Sequence, residues 1–187
     1  SPAATVPFGM VRLAPDTASL FNNTQGLNRS GYYYGDNKIL GFSHTRLLGA
    51  DALEGGVFRV FPSTTNSTNG SMKPYARFSH RDEVAFPGYY AVRLPQDDIL
   101  VELTATPRVG IHRYTFPANV TPCLRIDLTS TIANKRTEHA VIKMLRDVWQ
   151  VEGSVRIFGS FSGRYNGLDV YFVAQISQPY DFSGERQ

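Results

Sequence analysis

Cysteine is almost missing from these 187 residues: Cys123 stands alone, so no disulfide can form within the chain and a disulfide-stapled scaffold is excluded. Long apolar runs are missing too, and no stretch approaches the ~20 consecutive apolar residues that a membrane-spanning helix needs. Charge of one sign is scarce: 19 basic residues face 16 acidic ones for a formal net charge of +3, with no Lys/Arg run to track phosphates, which excludes nucleic acid as a partner. There is no Gly-x-Ser-x-Gly elbow and no glycine loop opening a helix, which removes the familiar serine-hydrolase and nucleotide-binding signatures. The four histidines, His44, His80, His112 and His139, lie far apart in the sequence without Cys/His metal spacing, so no metal site is expected. The Asp36-Asn37 turn fits no recognised calcium loop. The chain opens Ser-Pro-Ala-Ala without a basic or apolar leader, so any secretion signal is expected to have been removed or to lie outside it.

What is present is a β pattern. The chain is 42% apolar, enough for one substantial core, and the fold class expected is all-β, a single antiparallel β-sandwich over residues 1–187 with a loop-rich N-terminal segment. Apolar residues recur with period two: Ile99, Val101, Leu103 and Ala105 on one side, Val170, Phe172, Ala174 and Ile176 on one side, and Leu124, Ile126 and Leu128 alternating with Arg125, Asp127 and Thr129. The alternation around Cys123 predicts a strand carrying a buried free thiol, with pairing to sequence outside the chain as the alternative. Further strands are predicted over 57–61, 89–94, 109–116, 139–145 and 154–161, giving roughly eight in all; 139–145 also fits a helical stripe. The first 56 residues are rich in Gly, Asn and Tyr and read as loops, with hints of strands only at 9–14 and 39–42. The Gly159–Gly167 segment reads as a loop between two strands.

Five Asn-x-Ser/Thr sequons, at Asn22, Asn28, Asn66, Asn69 and Asn119, predict N-glycosylation and hence a secreted, eukaryotic protein. Residues 31–51 concentrate three tyrosines with Asp36, His44, Arg46 and Asp51, a mixture that suits sugar, because aromatic faces cover pyranose C–H surfaces while charged groups reach its hydroxyls. The same tyrosines fit equally well as core aromatics, and His44 as a structural histidine. Arg164 in the glycine-rich loop is a further candidate for facing a ligand or partner. No catalytic residue is assigned within the chain: its carboxylates are scattered, Asp97-Asp98 sits in a turn, and Asp82 and Glu83 are expected on opposite faces of a strand.

Ala4 to Thr17, Gly31-Tyr32, Ile39 to Leu47, Arg77 to Val92, Glu102 to Phe116 and Val170 to Ala174, in this order, resemble the amino-terminal domain of family-92 glycoside hydrolases, calcium-dependent α-mannosidases, over essentially the whole chain. The resemblance implies a supersandwich fold of the galactose-mutarotase type, packed on a carboxy-terminal (α/α)6 domain, with the active site between the two. It implies inverting, calcium-assisted hydrolysis of α-mannosides in mannose-containing glycans, with the acid, the base and most calcium ligands on the other domain. Carried over residue by residue, it makes Ser43 to Asp51 a loop approaching the leaving-group side of the mannose site. Where many members read His-Thr-His-Leu-Ser-Gly, this chain has Arg46 and Leu48, and Ala52 falls where some α-1,2-mannosidases carry Trp. Three readings follow: one wall of an α-mannosidase site, inactive alone; a non-catalytic mannose-binding module; or a structural domain of a glycosylated extracellular assembly.

Overall fold

A strand with one face in a core must alternate, and β8, Ile99–Ala105, does so without fault: Ile99, Val101, Leu103 and Ala105 are buried while Leu100, Glu102 and Thr104 are not. The computed structural model describes residues 1–18, 30–47, 54–64, 75–131 and 136–181. Among these residues the strands are β1 Ala4–Thr5, β2 Arg12–Thr17, β3 Lys38–Ser43, β4 Arg59–Thr64, β5 Ala76–Arg77, β6 Glu83–Phe86, β7 Tyr89–Leu94, β8, β9 Gly110–Thr115, β10 Pro122–Asp127, β11 Thr137–Leu145, β12 Gln150–Ile157 and β13 Leu168–Gln175. All thirteen pair antiparallel in three sheets: β1-β2-β3-β4-β10 with β5 on β3, β6-β7-β8-β9, and β11-β12-β13. The antiparallel β-sandwich expected from the sequence is the fold found.

Two apolar clusters hold the sheets together. In the first, Leu13, Ile39, Phe42 and Phe61 from the six-stranded sheet meet Tyr90, Val92, Leu94, Ile99, Val101 and Leu103 from the four-stranded sheet. Burying such side chains stabilises by roughly 1.5–3 kcal/mol each. In the second, Val57, Phe58 and Leu128 meet Val155 and Ile157 of β12, with Val170 and Phe172 of β13 packed on them.

The structure corrects several sequence expectations. Among the described residues of the first 56 lie β1, β2 and β3, the last two overlapping the hints at 9–14 and 39–42, and β2 is buried along almost its whole length, so it shows no alternation to read. The strand expected at 57–61 runs instead over Arg59–Thr64, because Phe58 sits at φ +58, outside the extended region, and the chain straightens only after it. The one expected at 154–161 starts earlier, at Gln150, and ends at Ile157, where the glycine-rich loop begins. Segment 139–145 is strand, within β11, and not helix. In β10 the expected two-faced pattern fails: Leu124 is 39% exposed, whereas Asp127 is drawn inward by Arg59, Nη2 to Oδ2 2.7 Å. Burial opposes the Asp127 charge, but Arg59 and the Thr129 donors overcome it and hold the carboxyl below its usual range. Cys123 is a free, half-buried thiol on β10. Asp82 closes a 3-10 turn, His80–Asp82, and Glu83 opens β6, so the two do not share a strand.

Candidate functional site

Of the residues singled out in the sequence, Arg46 lies in a buried ion pair. Asp16, on β2, accepts Arg46 Nε at Oδ1 (3.0 Å) and Nη2 at Oδ2 (2.8 Å), and neither side chain has any accessible surface. Ser43 Oγ adds a bond to Oδ1 at 3.0 Å, and Arg46 Nη1 donates to the Gly55 carbonyl at 3.1 Å. The chain crowds this pair. A Cβ on Gly31, at φ +89, would stand 2.5 Å from Asp16 Oδ1, and one on Gly56, also at φ +89, 1.9 Å from Arg46 Cζ. The Gly31 carbonyl accepts the Thr17 amide at 2.7 Å, and Thr17 Oγ1 accepts the Tyr33 amide at 2.9 Å. Segments 16–17, 31–33, 43–46 and 55–56 are thus held by one hub, and Arg46 is a brace at its centre rather than a group pointing into solvent.

Glu54 extends the hub. Its Oε2 accepts the amides of Phe161 (2.8 Å) and Ser162 (3.1 Å), and its Oε1 accepts Ser162 Oγ (2.6 Å). This fixes the start of the 3-10 turn Ser162–Tyr165, on which Arg164 is exposed with its guanidinium 5.9 Å from the Phe161 ring centroid. The sequence offered one clue to Asp16, its place in the Ala4 to Thr17 stretch, and none to Glu54.

His44 does not reach out either. Its Nδ1 lies 2.6 Å from the Phe58 carbonyl, its Nε2 lies 2.8 Å from His112 Nε2, and His112 Nδ1 lies 2.6 Å from the Tyr114 hydroxyl. A carbonyl only accepts, so His44 must donate from Nδ1. With neutral rings the direction is then forced: Tyr114 O–H to His112, His112 Nε2–H to His44, His44 Nδ1–H to Phe58. Burial lowers the pKa of both imidazoles, of His112 the more, and raises that of Tyr114. The histidines that are distant in sequence are therefore not all distant in space.

The six residues of β3 span about 20 Å at ~3.3 Å per residue, with His44 after the strand's end and Asp36 before its start. There the Tyr34 ring stacks on His80 with centroids 4.0 Å apart, and His80 presents Nδ1 to Glu83 (2.5 Å) and Nε2 to the Tyr34 carbonyl (2.5 Å). Glu83 also accepts Tyr32 (3.0 Å) and Tyr90 (2.6 Å) hydroxyls, and burial with this carboxylate raises both phenols. The tyrosines of residues 31–36 thus divide: Tyr32 is tied inward, while Tyr34 is 70% exposed. Asp51 and the sequons Asn22, Asn28, Asn66 and Asn69 lie outside the described residues, as do Leu48 and Ala52. Asn119 is exposed in the turn after β9 at φ +62. Among the described residues no three His, Cys, Asp or Glu side chains converge as a metal site requires, so no calcium ligand is assigned to them.

Residues 1–185 match the family described as Glycosyl hydrolase family 92 N-terminal domain. The chain belongs to glycosyl hydrolase family 92. Its fold superimposes with a TM-score of 0.79 on the family GH92 α-mannosidase BT3965 of Bacteroides thetaiotaomicron, solved with mannoimidazole, at 30% identity over 95% of this chain and 23% of that one. The GH92 family glycosyl hydrolase ccman5 matches at 30% identity and TM-score 0.65, over 92% of this chain and 23% of its own. The inverting mannosidase BT2199, at 23% identity and TM-score 0.58, shares the fold. Among curated proteins no relative matches the chain. This family 92 domain spans about a quarter of the length of the solved relatives it matches.

Proposed function

We propose that this domain forms one wall of an α-mannoside site, and that a carboxy-terminal (α/α)6 domain supplies the other wall, the acid, the base and most calcium ligands. The observation that carries this reading is how the chain uses its carboxylates. Asp16, Glu54, Glu83 and Glu102 each have both oxygens bonded to partners within the domain, the last through Tyr89 and Arg113. Carboxylates locked in this way brace loops; they do not face each other across a sugar. The braced loop Ser43–Leu47 carries the part of the wall that meets substrate, with Arg164 beside it on the turn that Glu54 holds, whereas Asp36 stands apart at the other end of β3. The likeness to the solved α-mannosidase supports the substrate class.

The native chain should hydrolyse p-nitrophenyl α-D-mannopyranoside with inversion, releasing the β-anomer first by NMR, and lose that activity to a calcium chelator. Residues 1–187 alone should bind weakly and turn over nothing; hydrolysis by this piece at the native rate would end the reading. Secretion and glycosylation belong to the same proposal, supported by the exposed Asn119 turn. Peptide mapping that finds all five sequons unmodified in protein from its natural source would remove them.

A further inference from the structure

The outer face of β11-β12-β13 carries a feature that the loop hub does not use. An open groove of 420 Å³ lies there, lined by His139, Val141, Ser154, Arg156, Asp169 and Tyr171, within the ~300–1,000 Å³ range of small-molecule sites. Its floor is a cross-strand ion pair, Arg156 Nε to Asp169 Oδ1 and Nη2 to Oδ2, both 2.7 Å, on residues placed opposite each other by the β12/β13 register. One side is the Tyr171 ring, 74% exposed on the strand position whose neighbours Val170 and Phe172 pack inward. The other side is the β11 edge, where the register slips between Glu138 and Val141 and His139 adopts φ +53. A bulge that puts a non-glycine residue in the left-handed region re-aims its side chain, and such strained bulges concentrate where a side chain has a task.

Beyond the groove this face carries two further charge pairs, Lys143 with Glu152 at 4.0 Å and Arg136 with Glu138 at 3.3 Å, beside exposed Val173. Covering it with an apolar surface would desolvate these pairs, so the face belongs in water. The groove's ion pair is neutral as a unit, and both members remain partly exposed, 33% for Arg156 and 43% for Asp169. It therefore offers donors and acceptors side by side without a net field for an anion. A hydroxyl-rich neutral ring answers this combination: its hydroxyls bridge guanidinium and carboxylate while its C–H face covers Tyr171.

We propose that this groove is a second glycan site, separate from the loop hub, that takes one neutral hexopyranose against Tyr171. It does not rest on the mannosidase reading. The test is tyrosine nitration with tetranitromethane on the native chain, read by peptide mapping, with and without about 50 mM methyl α-D-mannopyranoside, methyl β-D-galactopyranoside or N-acetylglucosamine, well above a millimolar dissociation constant. Tyr165, 82% exposed and outside the groove lining, is the internal reference. At least one glycoside should lower Tyr171 nitration about fivefold and leave Tyr165 unchanged. Arg156→Gln and Asp169→Asn should both lose that protection while Tyr171 still nitrates at the unliganded rate, and buried Tyr90 staying unmodified shows that the variants are folded. Tyr171 nitration unmoved by all three sugars would overturn the proposal. So would full protection in both variants, or stronger protection by sodium phosphate than by any glycoside.

Discussion

Two arginine–aspartate pairs in this domain share bidentate geometry and differ in almost everything else. Arg46 and Asp16 meet at 2.8 Å with no exposed side-chain surface, inside a hub where two glycines leave no room for a Cβ. Arg156 and Asp169 meet at 2.7 Å on an open sheet face. The same chemistry closes one site and leaves the other available, and what decides is the environment rather than the residue types. Exposure also changes what the charges are worth: a buried pair cannot lose one member without stranding the other, whereas water compensates a surface pair.

Removing one partner of each pair is the sharpest way to break this comparison. Arg46→Ala should cost about 3–5 kcal/mol, because Asp16 would remain buried and uncompensated. In a chain of this size that is roughly a 10 °C fall in melting temperature. The double variant Arg46→Met with Asp16→Leu should recover most of the loss, and a double variant as unstable as the single one would show that the pair's charge is not the issue. Acid should come next, through the His44–His112 contact beside the hub. Burial holds both rings below their unfolded pKa of about 6.5, so on acidification the unfolded chain takes up protons first. The contribution is complete above about pH 6.5 and falls below it, by up to about 1.4 kcal/mol per pH unit for each ring. Urea melts at pH 7 and pH 5.5 measure this slope, and His112→Phe should flatten it.

Glu54→Ala comes third, at about 1–2 kcal/mol for the lost bonds to Phe161 and Ser162. Its signature is local: faster amide exchange at Phe161 and Ser162 with β8 unchanged. Smallest is Arg156→Gln, expected to leave the melting temperature nearly unchanged, because water compensates the lost partner on the exposed sheet. A loss as large as that of Arg46→Ala would erase the contrast between the pairs.

How far the sequence disclosed these arrangements depended on burial. Where a strand has one wet face, its alternation is legible in the sequence, and Ile99–Ala105 has the bounds that this alternation predicts. Where both faces are covered, as along β2, no alternation marks the strand: the sequence hints at one only over 9–14, and the buried Pro15 and Asp16 that follow depend on distant partners. The candidate site suffered most from this. Arg46 and His44 are conspicuous in a tyrosine-rich stretch, but both answer to residues far along the chain, Asp16 and His112, and no local spacing announces a tertiary partner. Arg156 and Asp169 went unnoticed because each is ordinary on its own strand; only the register makes them a pair. The family resemblance is carried by collinear stretches rather than single residues, so it is legible without any of these tertiary partners.

The hub around Asp16 and Arg46 also sets how this part of the domain can move. Four stretches of chain share a single pair of side chains, and a fifth, the turn at Ser162, hangs on Glu54 beside it. Opening any one of them strips bonds from the others, so they form one cooperative unit for local unfolding. A loop held in this way does not swing as a flap; it presents a finished surface.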